Sequence, residues 1–288
     1  MAIDLHIHST ASDGTVPPGK LPEMAAAAKL SAIALTDHDT VSGVAEFMSR
    51  QPEFPQIKLI SGVEFSSRFD ARELHIVGLF IDKDNPVLQK FLSAMRDSRL
   101  NRADLMQQKL KSLGYEISWD DLRAAGMQSD VPGRPHFAEV LVKKYNFPDN
   151  QSVFDQLLKR GAAGYVPREL PESATAIQVI KAAGGVAVWA HFLNSKYTSK
   201  TVINRTLTEL KIAGLDALEA YYTEYTPTRQ ATALRIAEEH ALAVSGGSDY
   251  HGSIHPEVKL GIGRGNLLVP DEVLTKLEGA GKPKVLIV

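Results

Sequence analysis

Two histidines one residue apart, His6 and His8, stand in "DLHIHS", and Asp13 follows five residues later. In extended backbone, residues i and i+2 face the same way, so both imidazoles project from the end of one strand. The same kind of group recurs along the chain: Asp37, His38 and Asp39 in "TDHD", Glu64 in "GVEFS", His75 in "ELHIVG", His191 in "VWAHF", and Asp249 and His251 in "GSDYH". Imidazole and carboxylate without thiolate suit Mn, Fe or Zn. More than four such ligands imply more than one ion. Two or three ions a few ångströms apart suit attack of a metal-bound hydroxide on a phosphoester. Glu64, a carboxylate among histidines, is the candidate bridge.

Each of these groups has an ordinary explanation when taken alone. A histidine beside an apolar run commonly packs or faces solvent, and an aspartate after a strand commonly caps a helix. Asp13, Asp37 and Asp39 all admit that reading. However, six of the nine histidines fall at or near strand ends on one expected face, and a shared metal site explains them together. His240 reads as a surface residue near a helix end and His255 as a loop residue.

The elements that must position these groups alternate. Apolar strand candidates are "AIDLHIH", "SAIALTD", "IKLISGVEFS", "ELHIVGLFI", "GVAVWAH", "LDALEAYY" and "ALAVSGGSD". Between them lie helical patterns such as "PGKLPEMAAAAKL", "TAIQVIKAAGG", "TVINRTLTELKIAG" and "TRQATALRIAEEHA". Strand–helix alternation predicts a parallel sheet or barrel covered by helices, with an open doubly wound sheet as the alternative. In a parallel barrel the C-terminal strand ends converge on one face, where such sites lie. Only His75 sits early in its run. From Arg99 to Arg168 the pattern is almost wholly helical, with "SWDD" reading as a capped helix start. This predicts a helical insertion over 99–168 between two barrel segments, 1–98 and 169–288.

The bulk numbers narrow the class. The chain has 288 residues, a net charge of −2 and no cysteine. A near-neutral balance argues against a general nucleic-acid coat protein, but leaves room for a phosphorylated ligand met by a local Arg cluster. The absence of cysteine removes disulfides and thiolate metal sites. No basic-then-apolar leader and no run near the roughly 20 residues of a membrane span is visible. The expectation is a soluble cytoplasmic protein with no membrane contact and no stable protein partner.

Together "DLHIHS", "TDHD", the Glu of "GVEFS", the His of "AHF" and "GSDYH" resemble the PHP family, named for polymerase and histidinol phosphatase domains. The resemblance implies a distorted (β/α)7 barrel of the α/β class, with a small helical insertion domain in this chain. It also implies two or three divalent ions, Mn²⁺ first and Zn²⁺ or Fe²⁺ as alternatives. On that likeness His6, His8, Glu64 and Asp249 hold one ion, Glu64, His75 and His191 a second, and Asp13, His38 and His251 a third. Asp37 orients a ligand from behind. Glu64, Asp249 and His191 are the residues expected to matter most for catalysis. Phe192 stands where many members have Pro, which leaves the shape of the following loop open.

The insertion, with "VPGRPHFAEVLV" and "GAAGYVPRE", resembles a bacterial subgroup of that family. Its activity is removal of the 3′-phosphate from nucleoside 3′,5′-bisphosphates, for example to 5′-AMP and phosphate, and trimming of short 5′-phosphorylated RNA. Arg134, His136 and Arg168 are then candidates for gripping the second phosphate, since guanidinium matches phosphate in a bidentate fork. Tyr165 offers an aromatic face to a base, and Asn194 and Tyr222 are further pocket candidates. Ordinary salt bridges or packing would explain each of these as well. The rivals are a histidinol-phosphate phosphatase on the same metals, a metal-dependent amidohydrolase, and a non-catalytic PHP-like scaffold. A histidinol-phosphate pocket would need to recognise an amine, which the Arg-bearing insertion does not suit.

Overall fold

The computed structural model describes residues 2–125, 131–194 and 199–280. The chain divides into two compact units, Met1–Phe91 with Leu170–Val288, and Leu92–Glu169. The first unit carries eight strands: β1 (Ala2–Ile7), β2 (Leu30–Leu35), β3 (Lys58–Phe69), β4 (Arg72–Leu79), β5 (Val186–Trp189), β6 (Ala217–Tyr222), β7 (Ala243–Gly247) and β8 (Val269–Pro270). They pair in the order β7-β6-β5-β4-β3-β2-β1-β8. The sheet curls into a nearly closed barrel. Beyond the end of β7, Asp249 N–H donates to His6 O at 2.8 Å, and His8 N–H donates to Tyr250 O at 2.9 Å.

All seven expected strands form, and the structure corrects three details. First, β4 is antiparallel to both β3 and β5. The two-residue turn after Phe69 makes β3–β4 a hairpin, and no crossover helix intervenes. Second, β3 does not end near Glu64. It runs on to Phe69, leaving β2 after Ser61 and pairing with β4 from Gly62 onward. Third, the short β8 adds an antiparallel partner at the start of β1.

Helices of the first unit are α1 (Leu21–Ala27), α2 (Val44–Ser49), the start of α3 (Pro86–Ser112), α7 (Ser173–Ala182), α8 (Lys200–Ala213), α9 (Pro227–Glu239) and α10 (Glu272–Ala280). One buried cluster joins Ile3 and Leu5 to Ala32, Ala34, Val77 and Val188. A second joins Ile7 to Leu21, Ile33, Leu35 and Phe47, and so lies against α1 and α2. Residues 3, 5 and 7 of a regular strand would share one face. The register shift between Asp4 and Ile7 breaks that phase, and such bulges re-aim side chains beside active sites. His6 lies inside it.

The second unit contains the rest of α3 with α4 (Trp119–Ala124), α5 (Arg134–Tyr145) and α6 (Asn150–Val153), followed by a π-helical turn, Phe154–Leu158. Ala103, Met106 and Leu110 form an i, i+3, i+7 stripe on α3. They pack in one cluster with Leu122, Phe137, Leu141, Val153 and Leu158. Ser118 caps α4 in a reciprocal box with Asp121, as "SWDD" predicts. Asp149 caps α6 by accepting from Ser152 N–H at 2.7 Å. Among the described residues, no helix is long and apolar enough to cross a membrane.

Candidate metal centre

Each candidate ligand is placed by a local device. Gly247 lets β7 approach β1: a Cβ there would lie 2.4 Å from the His6 Cβ and N. After β2 the chain stays beside β3, with Asp39 N–H donating to Glu64 O at 2.9 Å and Glu64 N–H to Asp37 O at 3.1 Å. That bridge sets His38 beside Glu64. Because β4 is antiparallel, its N-terminal half lies level with the later half of β3, and His75 faces Ser66 across the ladder. This resolves why His75 comes early in its run. His191 and Asp249 follow β5 and β7 in left-handed backbone, at φ 31° and 57°. Such backbone costs about 1–3 kcal/mol per residue and persists where the surroundings impose it.

Glu64, only 1% exposed, sits at the middle. Its Oε2 lies 3.2 Å from His6 Nε2, 3.3 Å from His8 Nε2 and 3.0 Å from His38 Nδ1. Its Oε1 lies 2.9 Å from His75 Nδ1 and 3.3 Å from His191 Nε2. Asp249 Oδ1 lies 3.1 Å from His8 Nε2 and 3.6 Å from both His6 Nε2 and His251 Nδ1. Asp13 Oδ1 is 3.4 Å from His251 Nε2, and its Oδ2 is 3.9 Å from His38 Nε2. Three groups of donor atoms each fit within 4.8 Å: His6, His8, Glu64 and Asp249; His38, Glu64 and His75; His8, Asp13, His38 and His251.

These residues fit divalent ions. The buried atoms His6 Nε2, His8 Nδ1 and Nε2, His38 Nδ1 and Glu64 Oε2 converge yet make no hydrogen bond. Buried polar atoms are ordinarily paired. Atoms each about 2.1 Å from one cation at tetrahedral angles lie roughly 3.4 Å apart, close to the spacings here. Charge agrees. Burial opposes ionisation of His6 and His38, but the neighbouring carboxylates, Glu64 foremost, outweigh it and hold both pKa values above the usual imidazole range. His75 is pushed up to about 10 by Glu64, against burial. His251 is raised to about 9 against burial, by Asp13 and Asp249. Burial, His38 and His251 lower His8. Glu64 and Asp249 lie well below the carboxylate range, since the surrounding imidazoles outweigh burial. The pocket is built to retain positive charge.

Four carboxylates support the centre, of which Glu219 and Asp4 were not legible from motifs. Glu219 Oε1 accepts from His6 Nδ1 at 2.9 Å, and its Oε2 accepts from His191 N–H at 2.6 Å. Asp4, in the first strand, accepts from Ser248 N–H, Ser248 Oγ–H and Gly261 N–H at 2.6–2.8 Å. Burial pushes its pKa up to about 6 against those donors. Asp39 accepts from Ser66 N–H at 2.9 Å, so it is no helix cap; the residue capping α2 is Gly43. Asp37 accepts from Ser9 N–H, Ser9 Oγ–H and Ser12 Oγ–H at 2.6–2.7 Å. It anchors the loop that carries Asp13.

The expected substrate-contacting residues fall in both units. In the first, Tyr222 O–H donates to Asp249 Oδ2 at 3.1 Å, and Asn194 N–H closes a turn onto His191 O at 2.8 Å. Phe192 is buried against Trp189, ring centroids 5.5 Å apart. In the second unit, the Arg134 guanidinium lies 5.8 Å from the centres of both the Phe154 and Tyr165 rings. His136 Nδ1 accepts from Gly133 N–H at 3.0 Å at the start of α5. Arg102 Nε–H donates to Val166 O at 2.9 Å. Burial, then Arg134, lower the Arg102 pKa to about 10, with Arg168 and Arg99 adding to the effect. The i, i+3 spacing of Arg99 and Arg102 on α3 puts them on one helix face.

Known proteins resemble this chain along most of its length. A model of the PHP domain matches residues 4–164. A Haemophilus influenzae 5′-3′ exoribonuclease is 35% identical over 86% of this chain and 89% of its own length. A Chromobacterium violaceum 3′,5′-nucleoside bisphosphate phosphatase is 34% identical over 86% of this chain and 87% of its own. A solved Bifidobacterium adolescentis structure, described as a putative metal-dependent phosphoesterase, superposes with a TM-score of 0.80. It is 29% identical and spans 98% of this chain and 97% of that one. A Chromobacterium violaceum structure described as an amidohydrolase with bound sulfate gives 0.78 at 32% identity, over 97% of each chain. The chain therefore belongs to the PHP domain family.

Proposed function

We propose that the chain is a divalent-metal-dependent phosphoric monoester hydrolase. Its substrate is a nucleoside 3′,5′-bisphosphate, from which it removes the 3′-phosphate, with short 5′-phosphorylated RNA as a second substrate. The observation that carries this reading is the set of five imidazole nitrogens, from His6, His8, His38, His75 and His191, within 3.3 Å of the Glu64 carboxylate. Such a set suits more than one cation, and adjacent cations suit phosphoester hydrolysis. A cytoplasmic location fits a nucleotide substrate.

In this reading His6, His8, Glu64 and Asp249 hold one ion, and Glu64, His75 and His191 a second. Asp13, His38 and His251, with His8 at their edge, hold a third. We assign Mn²⁺ first, ahead of Zn²⁺ and Fe²⁺, for an imidazole–carboxylate set. When bound, the ions polarise the scissile phosphate and lower the pKa of a water. The chain's own part is positional. Glu64 joins two ion sites and sets their spacing. Asp37 holds the Asp13 loop, and Tyr222 holds Asp249. We place the substrate's second phosphate at Arg134 and Arg168 of the insertion at 99–168, with His136 beside them and Tyr165 facing the base. Asn194 adds a hydrogen bond from the loop after His191. Hydrolysis then forms one bond from water oxygen to phosphorus, breaks the bond to the 3′ oxygen, and leaves a proton on that oxygen.

The test is phosphate release from adenosine 3′,5′-bisphosphate with Mn²⁺, beside 3′-AMP, 5′-AMP, histidinol phosphate and a short 5′-phosphorylated RNA. Fast release from the bisphosphate with 5′-AMP as product, and little from either monophosphate, is expected. Turnover of histidinol phosphate alone would overturn the substrate assignment. Inactivity on every phosphoester, in protein that carries its ions, would overturn the reaction class.

A further inference from the structure

We infer that Glu219 is a positioning residue that prepares two ion sites at once through one carboxylate. The inference rests on the metal-site reading above. Glu219 lies on β6, beside a register shift between Glu219 and Tyr221, and is 2% exposed. Its two oxygens serve two ligands from different strands. Oε1 faces His6 Nδ1 at 2.9 Å, and Oε2 faces the backbone N–H of His191 at 2.6 Å.

The first contact sets a tautomer. A carboxylate oxygen only accepts, so the proton of a neutral His6 must sit on Nδ1. Nε2 is then left as a lone pair, directed at Glu64 Oε2 and Asp249 Oδ1, 3.2 and 3.6 Å away. That is the form of imidazole a cation requires. The second contact sets a backbone. His191 stands at φ 31°, and the bond from its N–H helps keep it there. Its Nε2 consequently lies 3.3 Å from Glu64 Oε1. His6 belongs to the group with His8 and Asp249, whereas His191 lies on the opposite oxygen of Glu64. One carboxylate behind the centre therefore orients a ligand on each side of the bridge.

The amide of Glu219→Gln tests this. Glutamine has one acceptor oxygen, so it cannot accept from both N–H groups. If its NH2 faces His6, Nδ1 must accept and the proton moves to Nε2, where it blocks an ion. If its NH2 faces His191, two donors meet and the His191 backbone is displaced. The experiment is titration of the metal-free full chain with Mn²⁺ and with Zn²⁺ by calorimetry. Long-range ¹⁵N–¹H spectra of the imidazoles, taken at a pH alkaline enough to leave His6 neutral, backbone amide spectra for His191, and thermal unfolding accompany it.

We expect ion affinity to fall about 10- to 100-fold in a variant that stays folded, with either His6 shifting from its Nδ1–H to its Nε2–H form or the His191 backbone amide displaced. A residue with only a structural role would lower the unfolding temperature and leave the tautomer alone. In folded Glu219→Gln, unchanged ion affinity, or a His6 tautomer and a His191 backbone amide that are both unchanged, overturns the proposal. Should that variant fail to fold, Glu219→Asp carries the same readouts, since its shorter side chain cannot span both donors. Absence of ion binding by the unmodified protein is a different result, and it would overturn the metal-site reading itself.

Discussion

The Tyr222 hydroxyl donates to Asp249 Oδ2 at 3.1 Å, while Asp249 Oδ1 turns to His8 Nε2 at 3.1 Å. The two carboxylate oxygens thus have separate tasks, one anchored by a phenol and one presented to the histidines. Burial and the nearby carboxylates hold the Tyr222 pKa far above the usual phenol value, so it acts as a donor at any working pH. Removing the hydroxyl frees Asp249 to rotate. A hydrogen bond to a charged group is worth about 1.5–3 kcal/mol, or roughly 10- to 100-fold in rate if felt in the transition state. Tyr222→Phe is expected to lower kcat about tenfold with KM little changed. Steady-state kinetics at saturating Mn²⁺ checks this, and an unchanged kcat would refute it.

Glu64 is the hub, and its removal should be the most damaging single change. Glu64→Ala leaves five imidazoles around a void, with Asp249 still beside His6 and His8 but no carboxylate joining the five. Like charges then oppose protonation, and a bridging ligand is lost. The expected result is activity below about one part in a thousand, fewer ions per chain, and an unaltered far-ultraviolet circular dichroism spectrum. Asp249→Ala should behave similarly while keeping the second ion, the one assigned to Glu64, His75 and His191. Full activity in well-folded Asp249→Ala protein would refute its assignment. Ion content by atomic emission separates the two variants.

Most of the candidate ligands were legible because they stand at the end of an apolar run, and a buried run ending in His or Asp is visible locally; Glu64 and His75 lie within theirs. What escaped depends on partners distant in sequence. Glu219 reads as a lone acid in "LDALEAYY", and its meaning comes from His6, 213 positions away. Asp4 hides in the same way, with partners at Ser248 and Gly261. The reversed direction of β4 is set by the tight turn after Phe69, and periodicity carries no direction. β8 spans two residues, too short to show any alternation. Arg99 and Arg102 join Arg134 and Arg168 only through an electrostatic neighbourhood of positions distant in sequence.

The arginine cluster makes a prediction about substrate discrimination. Arg134 raises the cost of carrying charge on Arg102, and a bound dianion relieves that cost. Arg134→Ala should raise KM for adenosine 3′,5′-bisphosphate about 10- to 100-fold, equivalent to roughly 1.5–3 kcal/mol. It should leave the slow turnover of 3′-AMP nearly unchanged, because that substrate has no second phosphate. Arg134→Lys should recover only part of the loss, since an ammonium lacks the planar fork. Equal losses on both substrates would show that Arg134 does not read the second phosphate.

His136 gives the second unit a pH dependence with a definite sign. Burial lowers its pKa below the ordinary imidazole value. The Gly133 N–H directed at Nδ1 favours the neutral ring in the same direction. Below about pH 6.5 the unfolded chain takes up a proton at this position, while the folded one does so only at lower pH. Its contribution is therefore fully present above pH 6.5 and is lost as the pH falls toward the lowered value. Urea midpoints measured from pH 7.5 down to 5.5 should fall more steeply in the unmodified protein than in His136→Asn. The asparagine oxygen can still accept from Gly133 but cannot titrate. Parallel slopes would show that His136 titrates alike in the folded and unfolded chains.

Ion removal should reveal how far the centre supports the barrel. The ligands come from the ends of β1, β2, β5 and β7 and from within β3 and β4, so a cation held among them links most of the sheet. Binding to the folded state alone stabilises by about 2.7 kcal/mol per site at a hundredfold excess over Kd. Two filled sites therefore amount to roughly 5 kcal/mol. For a chain of this size, each 1 kcal/mol is worth about 2–4 °C in Tm. Chelation is expected to lower Tm by roughly 10–20 °C, and Mn²⁺ should restore it in a concentration-dependent way. Glu64→Ala should show a much smaller shift under the same titration. A Tm independent of chelator in the unmodified protein would mean that no ion bridges these strands.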